Sequence, residues 1–213
     1  MTNKINGMEY EGLEILTNEK VYDPAEDSIL CAEVISGELE KLGGSVRVLD
    51  MGCGSGILGL YAASKPNVSA VVFADKDDNA IELCRRNIET NRDMLYAQCD
   101  VVKSDLFSDV TGKFDLILFN SPYLPEGKGD KLANAWYGGE SGVEVAIKFV
   151  KQAPGFMEEG GEIVLAVSSV GNVDMLVDEV IGAGLYVASE RRSSMDFEDI
   201  IVMVISRQDY IGS

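Results

Sequence analysis

Histidine is absent from this chain, and with it every mechanism that needs an imidazole base, Ser-His-Asp and Cys-His catalysis alike. Basic residues are scarce: 18 Lys and Arg stand against 36 Asp and Glu, giving a formal charge of −18 and a pI near 4.3. Broad nucleic-acid footprints are built from clustered Lys and Arg, so this balance favours a protein or small-molecule substrate. The four cysteines, Cys31, Cys53, Cys84 and Cys99, are scattered with no C-x-x-C spacing, and no histidine can complete a mixed zinc site. No metal site is expected; reduced thiols in a cytoplasmic protein are. No apolar run reaches the roughly 18 residues of a membrane span, and the opening Met1-Thr2-Asn3-Lys4-Ile5-Asn6 lacks the apolar core of a signal peptide. No Pro/Ser-rich linker or low-complexity tract divides the 213 residues, so one domain over 1–213 is expected.

What is present is an alternation of short apolar runs and helical patterns. After a polar amino-terminal segment, apolar residues at helical spacing predict a helix over 24–41, with Asp23 as N-cap and Pro24 in the first turn. Residues 46–50 read as a buried strand and 57–63 as a helix; 70–74 as a strand and 78–90 as a helix. Strands follow at 97–103 and 114–119, then a helix at 142–152 and a strand at 162–168. This order predicts an α/β fold, a mostly parallel sheet with helices on both faces. The last two strands, 185–190 and 199–206, are joined by too few residues for a parallel crossover, so one strand near the carboxyl end must be antiparallel.

Chemistry concentrates where strands end. Between the first strand and its helix lies Asp50-Met51-Gly52-Cys53-Gly54-Ser55-Gly56, whose glycines let backbone approach a ligand that free helix N–H groups can meet. The spacing is G-x-G-x-G; a dinucleotide fingerprint would want a small residue at Ile57, which argues against a nicotinamide-linked oxidoreductase. Asp75, closing the second strand, can accept both hydroxyls of a ribose, and Asp105 after the third can accept from an adenine amine with Leu106 against the ring. The fourth strand ends in Asn120-Ser121-Pro122-Tyr123, an amide, a carbonyl and a flat ring suited to holding a planar NH₂. Asp75 and Asp105 also have plainer readings as caps, and the glycine turn as a turn alone.

Together these segments resemble the class I S-adenosylmethionine-dependent methyltransferases, and among them the HemK-related group whose fourth strand ends in N-P-P-Y. Val21-Tyr22-Asp23-Pro24-Ala25-Glu26-Asp27-Ser28 and Trp136-Tyr137-Gly138-Gly139-Glu140-Ser141-Gly142 are similar to the archaeal and eukaryotic release-factor glutamine methyltransferases. The resemblance implies a Rossmann-like fold with a seven-stranded sheet, residues 1–45 capping the site, and S-adenosyl-L-methionine as cofactor. It implies cofactor contacts from Ser28, Asp50, Gly52, Gly54, Asp75, Asp105, Leu106 and Asn120. Catalysis would fall to Asn120, Ser121, Pro122 and Tyr123: Asn120 and the Ser121 carbonyl accept from the substrate amide, and Tyr123 lies against its plane. The family usually has proline at 121 and threonine at 28. Glu26 and Asp27 would sit on the pocket rim, and Trp136 and Tyr137 at the substrate mouth.

The implied reaction is N-methylation of a glutamine side-chain amide in a peptide chain release factor. An exocyclic base amine of RNA or DNA is the alternative acceptor, and a catalytically silent subunit retaining the fold is the alternative outside enzymes. The resemblance also implies a small zinc-binding activator protein pairing with the sheet edge at 97–103, a segment apolar for an exposed edge.

Overall fold

A computed structural model describes residues 6–125, 137–195 and 198–207. Its main sheet has seven strands. Within it β3 (Val46–Met51) is flanked by β4 (Val68–Asp75) and β6 (Phe114–Asn120), with β5 (Gln98–Lys103) at one edge. These pair in parallel, as does β9 (Met157–Ser168) with β6. The carboxyl-terminal strands β10 (Leu185–Ser194) and β11 (Asp199–Arg207) form an antiparallel pair, and β11 also runs antiparallel to β9. The short connection thus produces the one reversed strand that it requires.

Alternation along the strands divides the core into two layers. Val48, Leu116, Leu118, Val164 and Ala166 face α1 (Glu26–Leu42) and α2 (Ile57–Ala63). Their neighbours in sequence, among them Leu49, Ile117, Ile163 and Leu165, face α4 (Glu144–Gln152) and α5 (Val173–Gly182). Strands buried on both faces read as continuous apolar runs, which is why β6 shows no polar alternation from Leu116 to Phe119.

Three features depart from the sequence reading. The amino-terminal segment is not merely polar: β1 (Asn6–Tyr10) and β2 (Leu13–Thr17) form an antiparallel hairpin around Glu11 and Gly12, both at positive φ. Leu13 and Ile15 are fully buried. The hairpin is fixed by two amides on α3 (Asp78–Thr90) and just beyond it, one turn apart. Asn87 Oδ1 accepts from Leu16 N–H and Nδ2 donates to Leu16 O; Asn91 does the same with Glu14, at distances of 2.8–3.0 Å. Each side chain therefore imitates a neighbouring strand. Secondly, α1 begins at Glu26, not 24, and Asp23 is not its cap: Ala25 occupies the N-cap with no side-chain hydrogen bond. The first-turn N–H of Ser28 is met by Asp27 Oδ1 at 2.6 Å instead. Thirdly, β9 begins at Met157; its register with β6 shifts between Phe114 and Leu116, so 158–161 bulge before regular pairing resumes at Glu162. Among the described residues no helix is long and apolar enough to cross a membrane.

Candidate functional site

The chain order reverses between β4 and β6 on either side of β3, and a cavity of about 240 Å³ opens there, outside the carboxyl ends of these strands. Segment 20–24 and the first turn of α1 border it opposite the glycine loop.

The glycine-loop wall is organised by backbone. Gly52, Gly54 and Gly56 have φ of 61°, 54° and 84°, a region open to glycine without penalty. A Cβ on Gly56 would lie 2.9 Å from Cys84 Sγ, so that position is closed to a side chain in any case. Asn87, already bound to the hairpin, also donates to Ser55 O at 2.8 Å and ties the loop to α3. Asp50 is buried and accepts from Gly59 N–H at 2.9 Å, joining β3 to α2. Burial pushes its carboxyl up to about 8, against the opposing pull of that N–H. Asp75 holds the loop from the other side: Oδ2 accepts from Gly54 N–H at 3.0 Å and Oδ1 from Asp77 N–H at 2.9 Å. Its carboxyl is raised too, chiefly by burial. A carboxylate has about four lone-pair sites, so Asp75 keeps acceptor capacity beyond these N–H groups.

Beyond β5, Ser104 Oγ donates to Leu106 O at 2.6 Å and accepts from Asp109 N–H at 3.0 Å. This pins Leu106 at a φ of 51°, a conformation that costs a side-chain-bearing residue about 1–2 kcal/mol. Strain of this kind gathers at ligand sites. Asp105 is exposed, and both residues line the cavity.

The opposite wall is organised by side chains, and Asp27 is its centre. Only 2% exposed, Asp27 accepts at Oδ2 from Tyr22 Oη (2.8 Å), Asn120 Nδ2 (2.8 Å) and Tyr123 Oη (3.2 Å). Its other oxygen takes Ser28 N–H at 2.6 Å and lies 3.3 Å from Ser28 Oγ. Burial, and then the Asp27 charge, drive the hydroxyls of Tyr22 and Tyr123 well above the ordinary phenol range, so both remain donors. With Nδ2 committed, Asn120 Oδ1 is a buried acceptor for which no hydrogen bond is found among the described residues. Such an orphan costs about 1–3 kcal/mol and calls for an explanation.

Ser121 sends both its N–H (3.3 Å) and its Oγ (2.8 Å) to Ala166 O on β9. Pro122 and Tyr123 are half-buried on the cavity. The G-G-E-S-G segment supports this wall: a Cβ on Gly142 would lie 3.0 Å from Tyr123 O and 3.2 Å from Gly171 Cα, so the turn sits directly against the Tyr123 backbone. Trp136 lies outside the described residues; Tyr137 enters β8 (Tyr137–Gly139), paired with β7 (Leu124–Pro125).

The cavity therefore brings together Ser28, Asp50, Gly52, Gly54, Asp75, Asp105, Leu106 and Asn120 to Tyr123. Glu26 is exposed and does not line it. Asp27, expected on the rim, lines the cavity and is also buried there as the hub of this wall, and Tyr22 had no assigned part. The clue in the sequence was a Tyr and an Asp five residues apart in one motif, but the other side chains that meet Asp27, those of Asn120 and Tyr123, lie more than ninety positions away.

Over residues 30–193 the chain matches the family described as the methyltransferase small domain. A Methanocaldococcus jannaschii protein, named as a candidate protein N5-glutamine methyltransferase, is 31% identical over 200 residues, 92% of this chain and 96% of that protein. Ribosomal RNA small subunit methyltransferase C of an Enterobacter species is 29% identical over 136 residues, 64% of this chain and 35% of that protein. Among solved structures, the E. cuniculi Mtq2-Trm112 complex, described as responsible for the methylation of the eRF1 translation termination factor, has a TM-score of 0.67 at 19% identity, with 89% of this chain and 99% of that chain covered. Identity that low speaks to fold alone.

Proposed function

The chain belongs to the methyltransferase small domain family, and from that premise we propose that it methylates the side-chain amide nitrogen of a glutamine in a peptide chain release factor. The methyl donor of this family, S-adenosylmethionine, supplies an electrophilic methyl carbon on a sulfonium. The residues present fit it: a left-handed glycine cradle, a carboxylate at Asp75 with spare acceptor capacity, and the strained Leu106 beside Asp105 at the far end. In this reading Asp50, Gly52, Gly54 and Ser28 hold the methionine side, Asp75 the ribose, and Asp105 with Leu106 the adenine. The M. jannaschii relative's name supports the glutamine acceptor, and the likeness of the Val21–Ser28 and Trp136–Gly142 segments to release-factor glutamine methyltransferases supports the release factor.

One observation carries the acceptor assignment: the buried Oδ1 of Asn120, with no hydrogen bond among the described residues, on an amide that shares Asp27 with the Tyr123 hydroxyl. An amide nitrogen is a weak nucleophile because its lone pair is delocalised. Asn120 Oδ1 and the Ser121 carbonyl accept from the substrate NH₂, and the Tyr123 ring sets its plane. Both acceptors gain strength as the nitrogen becomes positive, so they act more on the transition state than on the bound substrate. Alignment supplies the larger share, since effective molarity is worth on the order of 7–11 kcal/mol.

The ribosomal RNA relative supports a second reading, an exocyclic base amine as acceptor. The formal charge of −18 weighs against it. The edge strand β5, with Tyr96 beside it 70% exposed, supports a partner protein that pairs there, a small zinc-binding activator in this reading. Four free cysteines suit a cytoplasmic setting.

The test is tritiated-methyl transfer, with and without such an activator, to a class 1 release factor carrying its Gly-Gly-Gln loop, to the same factor with that glutamine replaced, and to total tRNA and ribosomal RNA. Label on the intact factor alone is expected. Label on RNA alone overturns the glutamine assignment.

A further inference from the structure

Asp27 is a buried carboxylate without a cation: none of the ion pairs among the described residues includes it. Its surroundings consist of oriented donors, namely two phenols, a side-chain amide, a serine hydroxyl and a backbone N–H. Burying a carboxylate against dipoles alone is expensive, and such an arrangement persists where the charge has a task. We propose that Asp27 is the positioning residue of the amide site, fixing which end of Asn120 meets the substrate and strengthening that end as an acceptor. The proposal rests on the glutamine-methylation reading and extends it to a residue that acts through Asn120.

The two ends of an asparagine side chain are nearly equal in shape and opposite in function, so only the hydrogen-bond network decides which faces where. An ionised carboxylate accepts and cannot donate, and at 2.8 Å it admits Nδ2 and excludes Oδ1. Reversed, Asn120 would present NH₂ to the NH₂ of the substrate, and the site would repel what it is built to hold. The second effect is electronic. A carboxylate on Nδ2 pushes electron density through the amide π system toward Oδ1, and hydrogen bonds arranged in such a chain polarise one another. That polarisation counts most when the substrate nitrogen has become positive, so Asp27 acts on turnover more than on binding. The same oxygen also holds Tyr123 Oη, so one atom sets both the acceptor and the ring proposed to fix the amide plane.

The first measurement needs no variant. In the isotope-labelled wild-type protein, the Asn120 side-chain NH₂ should show one proton shifted strongly downfield by the carboxylate and slow to exchange; an ordinary, fast-exchanging pair overturns the proposal. In the second, Asp27→Asn should lower kcat on the release factor about 30- to 300-fold, as loss of a preorganised transition-state contact does, with KM and cofactor Kd within about threefold. The third is a swap. Asn120→Asp alone sets two carboxylates against each other, whereas Asp27→Asn with Asn120→Asp restores a donor facing a carboxylate and leaves an acceptor toward the substrate. The double variant should exceed the worse single by about tenfold in kcat, since coupled neighbours are non-additive. A double variant no better than that single, or a folded Asp27→Asn protein with wild-type kcat, overturns the proposal. Wild-type protein that methylates no glutamine overturns the underlying reading instead, whatever the resonance of Asn120 shows.

Discussion

The two walls of the cavity are built by different means. On the glycine-loop side, backbone does the arranging: Asp50 and Asp75 each take main-chain N–H groups, and three glycines adopt left-handed conformations. On the other side, the side chains of Tyr22, Asn120 and Tyr123 converge on Asp27 from two distant stretches of sequence, and Asn120 Oδ1 has no donor among the described residues. A wall whose hydrogen bonds are nearly complete can grip a ligand without preference for a reaction stage. A wall with a buried, unmet acceptor is destabilised until a donor arrives, and its gain is greatest in the transition state. The difference suggests a division between holding the cofactor and promoting transfer.

Asn120→Ala is the sharpest test of that division. It should lower kcat about 100- to 1,000-fold, in the range of removing one oxyanion-hole contact, with cofactor Kd shifted less than about threefold. Calorimetric titration beside a methyl-transfer assay separates the two. Equal losses in both would erase the division.

Asp75→Ala is the mirror image. Loss of charge-assisted contacts should raise cofactor Kd about 30-fold, while kcat at saturating cofactor falls less than about threefold. A fall in kcat with Kd unchanged would reverse the roles of the walls.

The glycine wall should also respond to pH. Burial raises the Asp50 carboxyl to about 8, so the folded protein keeps a proton there that the unfolded chain releases near the ordinary carboxylate value of 3.8. A raised carboxyl is most favourable to folding below that value, and its contribution declines as pH climbs through the window from roughly 4 to 8. Asp50→Asn keeps an acceptor for Gly59 N–H and removes the titration. Wild type should therefore lose stability relative to this variant by up to about 1.4 kcal/mol per pH unit within the window, measured by urea midpoints. Parallel curves would mean that Asp50 stays ionised.

The walls also differ in how far the sequence revealed them. The glycine wall is local: strand, loop and helix follow one another, and Asp75 comes one βαβ unit later, so apolar runs and glycine spacing locate every part. The antiparallel carboxyl-terminal pair is equally local, a matter of connection length. Asp27 is different, because its neighbours in sequence mark it as one more acid in the first turn of a helix. Only folding brings Asn120 and Tyr123, 93 and 96 residues away, to its side. The hairpin escaped the sequence reading for a related reason: the alternation Leu13-Glu14-Ile15 is only three residues long, and the asparagines that fix it lie more than seventy residues on. Local periodicity locates elements; it is silent about polar partners brought together by topology.

Ser121 gives the smallest effect and isolates the side-chain wall from its backbone support. Serine stands where proline is usual in the resembling family, and it uses what proline lacks, an N–H and a hydroxyl, both directed at Ala166 O. Ser121→Pro loses both bonds, at about 0.5–1.5 kcal/mol each, and recovers about 0.4–1 kcal/mol from a stiffer unfolded chain. The net loss of about 1 kcal/mol should appear as a thermal midpoint lower by a few degrees. Turnover should stay within about twofold, because the group proposed to meet the substrate at this position is the backbone carbonyl, which proline keeps. If kcat instead fell as far as in Asn120→Ala, the β6–β9 bridge and not the Asp27 hub would be what holds Asn120 in place, and the contrast between the walls would have to be redrawn around Ala166.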